Sequence, residues 1–164
     1  MAQLIIFLPL IGFLFCFFFG KKLNYKFSQI ITTSLLFIST LLSWILFFEY
    51  INQKDTQIIH LYNWFTSENL IVDWSIRLDS LTTTMFIVVT SVSACVHLYS
   101  IGYMNEDPSK ARFMGYLSFF TFCMLVLVSS NNLVQMFFGW EGVGLASYLL
   151  IGFWYHKSSA NNAA

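Results

Sequence analysis

Charged residues are scarce in this chain: Asp, Glu, Lys and Arg together make up 10% of its 164 residues, and eight acidic side chains balance eight basic ones. A soluble domain carries roughly 25% charged residues. The mean hydropathy is +0.69, and 57% of the residues are hydrophobic. The composition therefore excludes an ordinary water-soluble fold. Because there is no basic excess, it also disfavours a nucleic-acid-binding protein.

Cysteine is scarce as well, and Cys16, Cys95 and Cys123 each lie inside an apolar run. Their odd number and wide spacing fit neither a disulfide framework nor a zinc site, so we expect three buried apolar side chains and no metal. The chain also lacks a P-loop, a CxxC pair and histidines at haem-ligand spacing. The segment GWEGVG does not have the glycine spacing of a dinucleotide site. We expect no redox centre in this chain.

Long apolar runs are abundant instead. A membrane-spanning helix needs about 20 mostly apolar residues, and five runs approach or reach that length, near residues 4–19, 30–48, 81–104, 113–128 and 133–154. The first run has no basic residue before it and no small-residue cleavage site after it, so we expect a retained helix rather than a signal peptide. The sequence predicts an all-α, polytopic membrane bundle of about five transmembrane helices, forming a single membrane domain over residues 1–164.

The second connection, residues 49–80, is not featureless. QIIHLYNWF and NLIVDWSIRLD alternate apolar and polar residues on either side of TSEN. This alternation is typical of a β-hairpin, which would have to dock on a neighbour because an isolated hairpin is marginal in water. An extended surface loop with interfacial Trp64 and Trp74 is the other interpretation, and the sequence leaves both open.

The distribution of lysine and arginine predicts the orientation in the membrane. Six basic residues fall on one side of the five spans, namely Lys21, Lys22, Lys26, Lys110, Arg112 and Lys157. Lys54 and Arg77 fall on the other side. We expect the six-charge side to face the matrix or cytoplasm, which puts the N-terminus and the second connection on the opposite side.

One carboxylate lies deep in an apolar run. Glu141 is eight residues into the fifth span, about 12 Å along a helix. A charge at that depth costs about 2.5–3.5 kcal/mol on insertion scales. The carboxyl either stays protonated or pairs with a cation or a chain of water inside a bundle. Both solutions make Glu141 a candidate proton carrier, and a purely structural hydrogen-bonding carboxyl is the alternative.

Small residues accompany this carboxylate. Gly139, Gly142 and Ala146 share one helical face, where they let another helix approach closely. We expect this face to serve helix packing, including the docking of any second polypeptide. Tyr148 lies on the face of Glu141 and is a candidate for support of a proton path.

Other ionisable candidates are weaker. His97, near one end of the third span, could relay protons as a neutral imidazole or could make a structural contact within the bundle. Arg77 and Asp79 are two residues apart, just before the third span, and a surface ion pair is the simplest expectation for them.

The sequence FFGWEGVGLASYLLIGFWY resembles the fifth-helix segment of chain 5 of NADH:ubiquinone oxidoreductase, the antiporter-like membrane subunit of respiratory complex I. The resemblance extends over DSLTTTMFIVVTSVSACVHLYSIGYMNEDPSKARFMGYLSFF and onward, and more loosely over IIFLPLIGFLFCFFFG. Related sodium/proton antiporter subunits share this scaffold. The resemblance implies a membrane-arm subunit, or a fragment of one, in the inner mitochondrial membrane or a bacterial plasma membrane. It also implies a surface hairpin in the second connection.

In that family the fifth-helix glutamate pairs with a lysine on a later, broken helix, and Glu141 occupies the glutamate's place. No lysine lies inside a predicted span of this chain, so the resemblance implies that the lysine belongs to helices outside these residues, such as those of a second chain. NADH, FMN, iron–sulfur clusters and ubiquinone are then expected on other subunits of a proton-translocating NADH:ubiquinone reductase. The alternatives are a structural assembly fragment that moves no protons and a sodium/proton antiporter subunit.

Overall fold

The computed structural model of the chain describes residues 1–20, 25–51, 55–68 and 70–164. Five helices long and apolar enough to cross a membrane lie within these residues: α1 (Ala2–Phe19), α2 (Tyr25–Tyr50), α3 (Ser80–Tyr103), α4 (Lys110–Ser129) and α5 (Leu133–Ile151). Strands β1 (Gln57–Ser67) and β2 (Leu70–Leu78) separate α2 from α3, and a 3₁₀ turn (Gly152–Trp154) and α6 (Ser158–Ala163) follow α5. The predicted fold class, a mostly helical multi-pass bundle with a β-hairpin, is confirmed.

Two helices begin three or more residues earlier than the sequence predicts. Because α2 begins at Tyr25, Lys26 lies in its first turn, and Lys110 is the first residue of α4. The expectation that no lysine lies inside a span is wrong in this narrow sense. Both lysines lie at helix ends, where a long side chain can reach the interface. Lys21, Lys22 and Lys54, which entered the orientation count, lie outside the described residues.

Helix α4 is the centre of the bundle. It packs against α1, α2, α3 and α5, and half of its apolar window is buried. In contrast, only 17% of the span that contains α5 is buried, because this helix packs mainly against α4. The bundle therefore leaves most of α5 uncovered.

Proline in α1 leaves one backbone carbonyl without its usual donor, and α2 supplies a hydrogen bond to it. Pro9 has no N–H to donate to the carbonyl of Ile5, one turn back in the helix. The Ser39 hydroxyl of α2 donates to that carbonyl instead, at 2.8 Å, and both residues are fully buried. A buried carbonyl without a donor is costly in lipid, so this bond allows α1 to keep Pro9.

Hydroxyl groups also join the other helices. Thr40 of α2 donates to the carbonyl of Thr90 in α3 at 3.1 Å, and Thr82 of α3 donates to the carbonyl of Val128 in α4 at 3.4 Å. Lipid tails are as apolar as the helices, so such bonds and close packing hold membrane helices together.

The second connection forms an antiparallel hairpin, which decides between the two interpretations left open by the sequence. The register is irregular between His60 and Tyr62, and again between Asn63 and Phe65, and at each point β1 has one residue more than β2. Across the strands, the rings of Tyr62 and Trp74 stack with centroids 6.1 Å apart. The hairpin docks on the bundle through β2, since Ile76 bridges to Ser130 beyond the end of α4.

Residues at the end of the hairpin stabilise the first turn of α3. Asp79 is the N-cap of α3: its Oδ1 accepts from the Thr82 amide at 2.8 Å, and its Oδ2 accepts from Arg77 Nε at 3.1 Å. Partial burial opposes ionisation of Asp79. The hydrogen bonds from Thr82 and the charge of Arg77 outweigh this effect and hold the pKa of Asp79 below its ordinary value.

We expect the stabilisation from this cap to depend on acid pH. A carboxyl whose pKa is lower in the folded chain than in the unfolded one stabilises the fold above the unfolded pKa, about 3.9, and loses that contribution as the pH falls through the folded pKa. Thermal unfolding in detergent should show Asp79→Ala losing about 1 kcal/mol near neutral pH. The difference from the unmodified chain should shrink on acidification below pH ~4. A difference that stays constant down to the lowest pH would contradict the assignment of the cap.

The cysteines correct one expectation. Cys16 and Cys123 are buried within the bundle, as predicted, but Cys95 is exposed on α3. The prediction of three buried thiols is wrong for Cys95 because an apolar run in a membrane helix has faces directed away from its own bundle.

Candidate functional site

Glu141 lies near the middle of α5, eight residues from its first residue and ten from its last, or about 12 and 15 Å. Its side chain is exposed, together with Gly144, Leu145 and Tyr148, and we call these four residues the outer face of α5. Within the described residues, Glu141 has neither a hydrogen bond nor an ion pair. The expectation of a carboxylate inside the bundle is therefore not met by these helices alone.

The opposite face of α5 packs on α4. A Cβ added at Gly139 would lie 2.7 Å from the backbone nitrogen and 2.8 Å from the Cα of Leu127, and one added at Gly142 would lie 2.6 Å from Cys123 Sγ. Ala146, on the same side, is fully buried. Gly139 thus permits backbone-to-backbone approach to α4, and Gly142 leaves room for the Cys123 side chain. The expectation that this face docks a second polypeptide is wrong, because α4 occupies it.

The start of α5 is fixed by two amides that sequence reasoning did not single out. Asn132 is the N-cap, and its Oδ1 accepts from the Gln135 amide at 2.8 Å. The spacing N-x-x-Q resembles a capping box, and this pattern could have identified the start of α5 from the sequence. Here, however, the Gln135 side chain does not return to the cap.

Both amides bind the free edge of β2 instead. Asn132 Nδ2 donates to the carbonyl of Asp73 at 2.7 Å, and Gln135 Oε1 accepts from the backbone amide of Ser75 at 3.1 Å. Trp64 and Trp74 of the hairpin add edge-to-face contacts with Phe138. The hairpin is thereby attached directly to the helix that carries Glu141.

Gln135→Leu should loosen this attachment. Gln135 is 1% exposed, so the substitution leaves the Ser75 amide buried without an acceptor, at a cost of about 1–3 kcal/mol. Hydrogen exchange at Ser75 should become faster. Gln57→Leu makes the same change at an exposed position in β1 and should leave that exchange rate alone. Unchanged exchange at Ser75 in the Gln135 variant would show that the attachment does not protect β2.

His97 lies between α3 and α4 and is fully buried. Its Nδ1 lies 2.9 Å from the Ser93 carbonyl and its Nε2 lies 3.1 Å from Ser118 Oγ. A carbonyl can only accept, so Nδ1 carries the proton and Nε2 accepts from the Ser118 hydroxyl in the neutral ring. Ser93 also bonds Thr121 of α4 through its hydroxyl.

The structure does not bring the predicted site residues together. His97 contacts α4, whereas Glu141 is on the side of α5 that faces away from α4. Tyr148 is on the outer face with Glu141, seven residues further along α5, or about 10 Å. Arg77 and Asp79 form their ion pair at the hairpin end of the bundle.

Two family models match the chain. Residues 64–114 match the model described as the N-terminus of chain 5 of NADH-ubiquinone oxidoreductase (complex I). Residues 130–164, which include all of α5, match the model of the transmembrane region of NADH:quinone oxidoreductase and Mrp antiporter subunits.

Relatives match over the whole chain. NADH-quinone oxidoreductase subunit L of Rhodobacter capsulatus is 55% identical over 171 residues, which cover 100% of this chain and 24% of the relative. NADH-ubiquinone oxidoreductase chain 5 of Chondrus crispus and that of Arabidopsis thaliana are each 49% identical over 164 residues, covering 100% of this chain and 25% and 24% of those relatives. The chain thus spans about a quarter of the length of these relatives. It belongs to the family of antiporter-like membrane subunits of NADH:quinone oxidoreductase, known as subunit L or chain 5.

Proposed function

We propose that the chain works in the membrane arm of a proton-pumping NADH:ubiquinone oxidoreductase and that Glu141 takes part in proton translocation. The observation that carries this proposal is the position of Glu141: midway along a membrane helix, on a face that the other described helices leave uncovered. Family membership supplies the context, since the matched relatives are named as subunits of this oxidoreductase.

A carboxylate at this depth is stable only with a partner. Facing lipid tails as a charge, it would cost several kcal/mol, and both the neutral and the charged forms need hydrogen bonds. The exposed neighbours Trp140, Leu145 and Tyr148 are apolar or aromatic and provide no counter-charge. The partner is therefore a cationic side chain or a hydrated path supplied by helices other than the five described.

Such a partner would allow Glu141 to take up and release a proton. A lysine ammonium that approaches supplies a counter-charge for the carboxylate, and its withdrawal removes that counter-charge. Movement of the cation then drives uptake or release of a proton at Glu141. His97 has no contact with this face. Its bonds to Ser93 of α3 and Ser118 of α4 indicate a structural role in holding these two helices together.

The redox chemistry belongs elsewhere in this proposal. NADH, FMN, iron–sulfur clusters and ubiquinone would be bound by other subunits, and this chain would convert a conformational or electrostatic signal into proton movement. The membrane is the inner mitochondrial membrane or its bacterial equivalent. The N-terminus and the hairpin lie on the intermembrane-space or periplasmic side, away from Lys110, Arg112 and Lys157.

Copurification tests the proposal. An affinity tag on the full chain, extracted in mild detergent, should recover flavin- and iron–sulfur-bearing subunits and a polypeptide carrying further membrane helices. Recovery of sodium/proton antiporter subunits without flavin or iron would overturn the assignment to the oxidoreductase. Recovery of the oxidoreductase without any additional antiporter-like helices would leave Glu141 without its partner and would overturn its role.

A further inference from the structure

A pocket with one cation and several hydroxyl donors lies at the end of the bundle opposite the hairpin. Its volume is about 250 Å³, and it is formed where the first turn of α4 meets the end of α5 and the segment that follows. The polar groups on its wall are the side chains of Arg112, Tyr116, Tyr148, Tyr155 and Asn161. No acidic side chain lines it, and Ala164, the last residue of the sequence, also lies on its wall.

Arg112 is held in place without an acidic partner. Its guanidinium carbon lies 4.7 Å from the centre of the Phe153 ring and 5.9 Å from that of Tyr155, and Nη2 donates to the Phe153 carbonyl at 3.4 Å. Within the described part of the chain, Arg112 is not a member of the ion pairs His60–Asp73 and Arg77–Asp79. The guanidinium is therefore oriented, and its charge is not neutralised by a carboxylate.

The surroundings of the pocket are those of a membrane boundary. Trp154 and Tyr103 are exposed at this end of the bundle, and their rings lie 6.3 Å apart. Amphipathic aromatic residues of this kind favour the level of the lipid headgroups. Next to the pocket, Ile151 exposes apolar surface at the end of α5 that suits an acyl chain.

From these features we infer that the pocket binds the phosphate headgroup of an anionic phospholipid. The Arg112 guanidinium supplies charge-assisted hydrogen bonds to phosphate oxygens, and the phenol hydroxyls add neutral ones. The volume is below the usual range for sites that enclose a drug-sized molecule, about 300–1,000 Å³, so it fits a headgroup whose acyl chains remain in the bilayer. Basic pockets between membrane helices are an established way of recognising such lipids.

Lipid titration with native mass spectrometry tests the inference. The full 164-residue chain, purified in a neutral detergent, should bind phosphatidylglycerol about tenfold more tightly than phosphatidylcholine. Arg112→Gln should abolish this preference. Lys157→Gln removes the same charge at the same end of the bundle; Lys157 lies 4.7 Å over Trp154 and outside the pocket wall, so its variant should keep the preference.

Several results would overturn the inference. Equal binding of the two lipids by the unmodified chain, or equal losses in the Arg112 and Lys157 variants, would show only general attraction to a basic surface. Displacement of phosphatidylglycerol by millimolar inorganic phosphate would assign the pocket to soluble phosphate instead. If Arg112→Gln loses helix content in circular dichroism, the double variant Tyr116→Phe with Tyr148→Phe decides. It keeps the charge and should weaken phosphatidylglycerol binding several-fold, and unchanged binding would refute the site.

Discussion

Glu141→Gln should stop proton movement through this subunit while leaving the complex assembled. The amide has nearly the shape of the carboxyl and can still accept and donate hydrogen bonds, but it neither takes up a proton nor carries charge. Positioned proton-transfer groups contribute on the order of 10²–10⁴-fold to rates, so we expect at least about a 100-fold loss of the flux carried by this path. Protons translocated per NADH oxidised, measured in reconstituted vesicles, give the result.

The matched control for this change is Glu106→Gln. Glu106 lies in the connection between α3 and α4, where it reaches water, and the variant makes the same chemical substitution without touching the outer face of α5. Its proton stoichiometry should equal that of the unmodified complex. Glu141→Asp keeps an ionisable group on a shorter side chain and should retain part of the activity. A normal proton-to-electron ratio in Glu141→Gln would leave only the structural interpretation of this subunit.

Gly139→Ala should damage the packing of α5 on α4, although alanine is the better helix former. The added Cβ meets the backbone nitrogen and Cα of Leu127 at 2.7 and 2.8 Å, and backbone atoms in a central helix cannot move aside as a flexible side chain can. Overpacking of this kind costs about 1–3 kcal/mol. Thermal unfolding of the chain in detergent should show this loss, and assembly into the complex should fall with it.

Gly144→Ala is the matched control on the same helix. No heavy atom lies within 4 Å of a Cβ added there, so the helix keeps its packing and gains up to about 1 kcal/mol of helix propensity. The two alanine variants should therefore shift the unfolding temperature of the isolated chain in opposite directions. Equal shifts would contradict the close approach of α5 to α4 at Leu127.

Hydropathy and periodicity predicted most of the fold. The apolar runs identified all five helices because each must satisfy its own backbone hydrogen bonds in lipid. Their ends were less predictable: α2 extends to Tyr25 through polar residues that length and composition alone place outside the lipid. The hairpin was only one of two interpretations, because the irregular register around Tyr62 interrupts the period of two.

The site could be predicted less completely. An ionisable residue within an apolar run identified Glu141, and small-residue spacing identified the packing face with Gly139. The sequence could not tell which helix that face contacts, since spacing defines a face but not its neighbour. Gln135 was missed for a related reason: its side-chain oxygen accepts from the Ser75 backbone amide in β2, 60 residues away along the chain. The partner proposed for Glu141 could not be identified from the sequence, because none of the described side chains contacts its carboxyl.

The proton transfer proposed at Glu141 requires a cationic or hydrated partner on helices other than the five described. An experimental structure of the assembled oxidoreductase, at a resolution that shows side chains and ordered water, tests it most directly. We predict a lysine ammonium, or a connected file of water molecules, within hydrogen-bond reach of the Glu141 carboxyl on the outer face of α5. Lipid tails packed against that carboxyl, with neither a cation nor water beside it, would contradict the account.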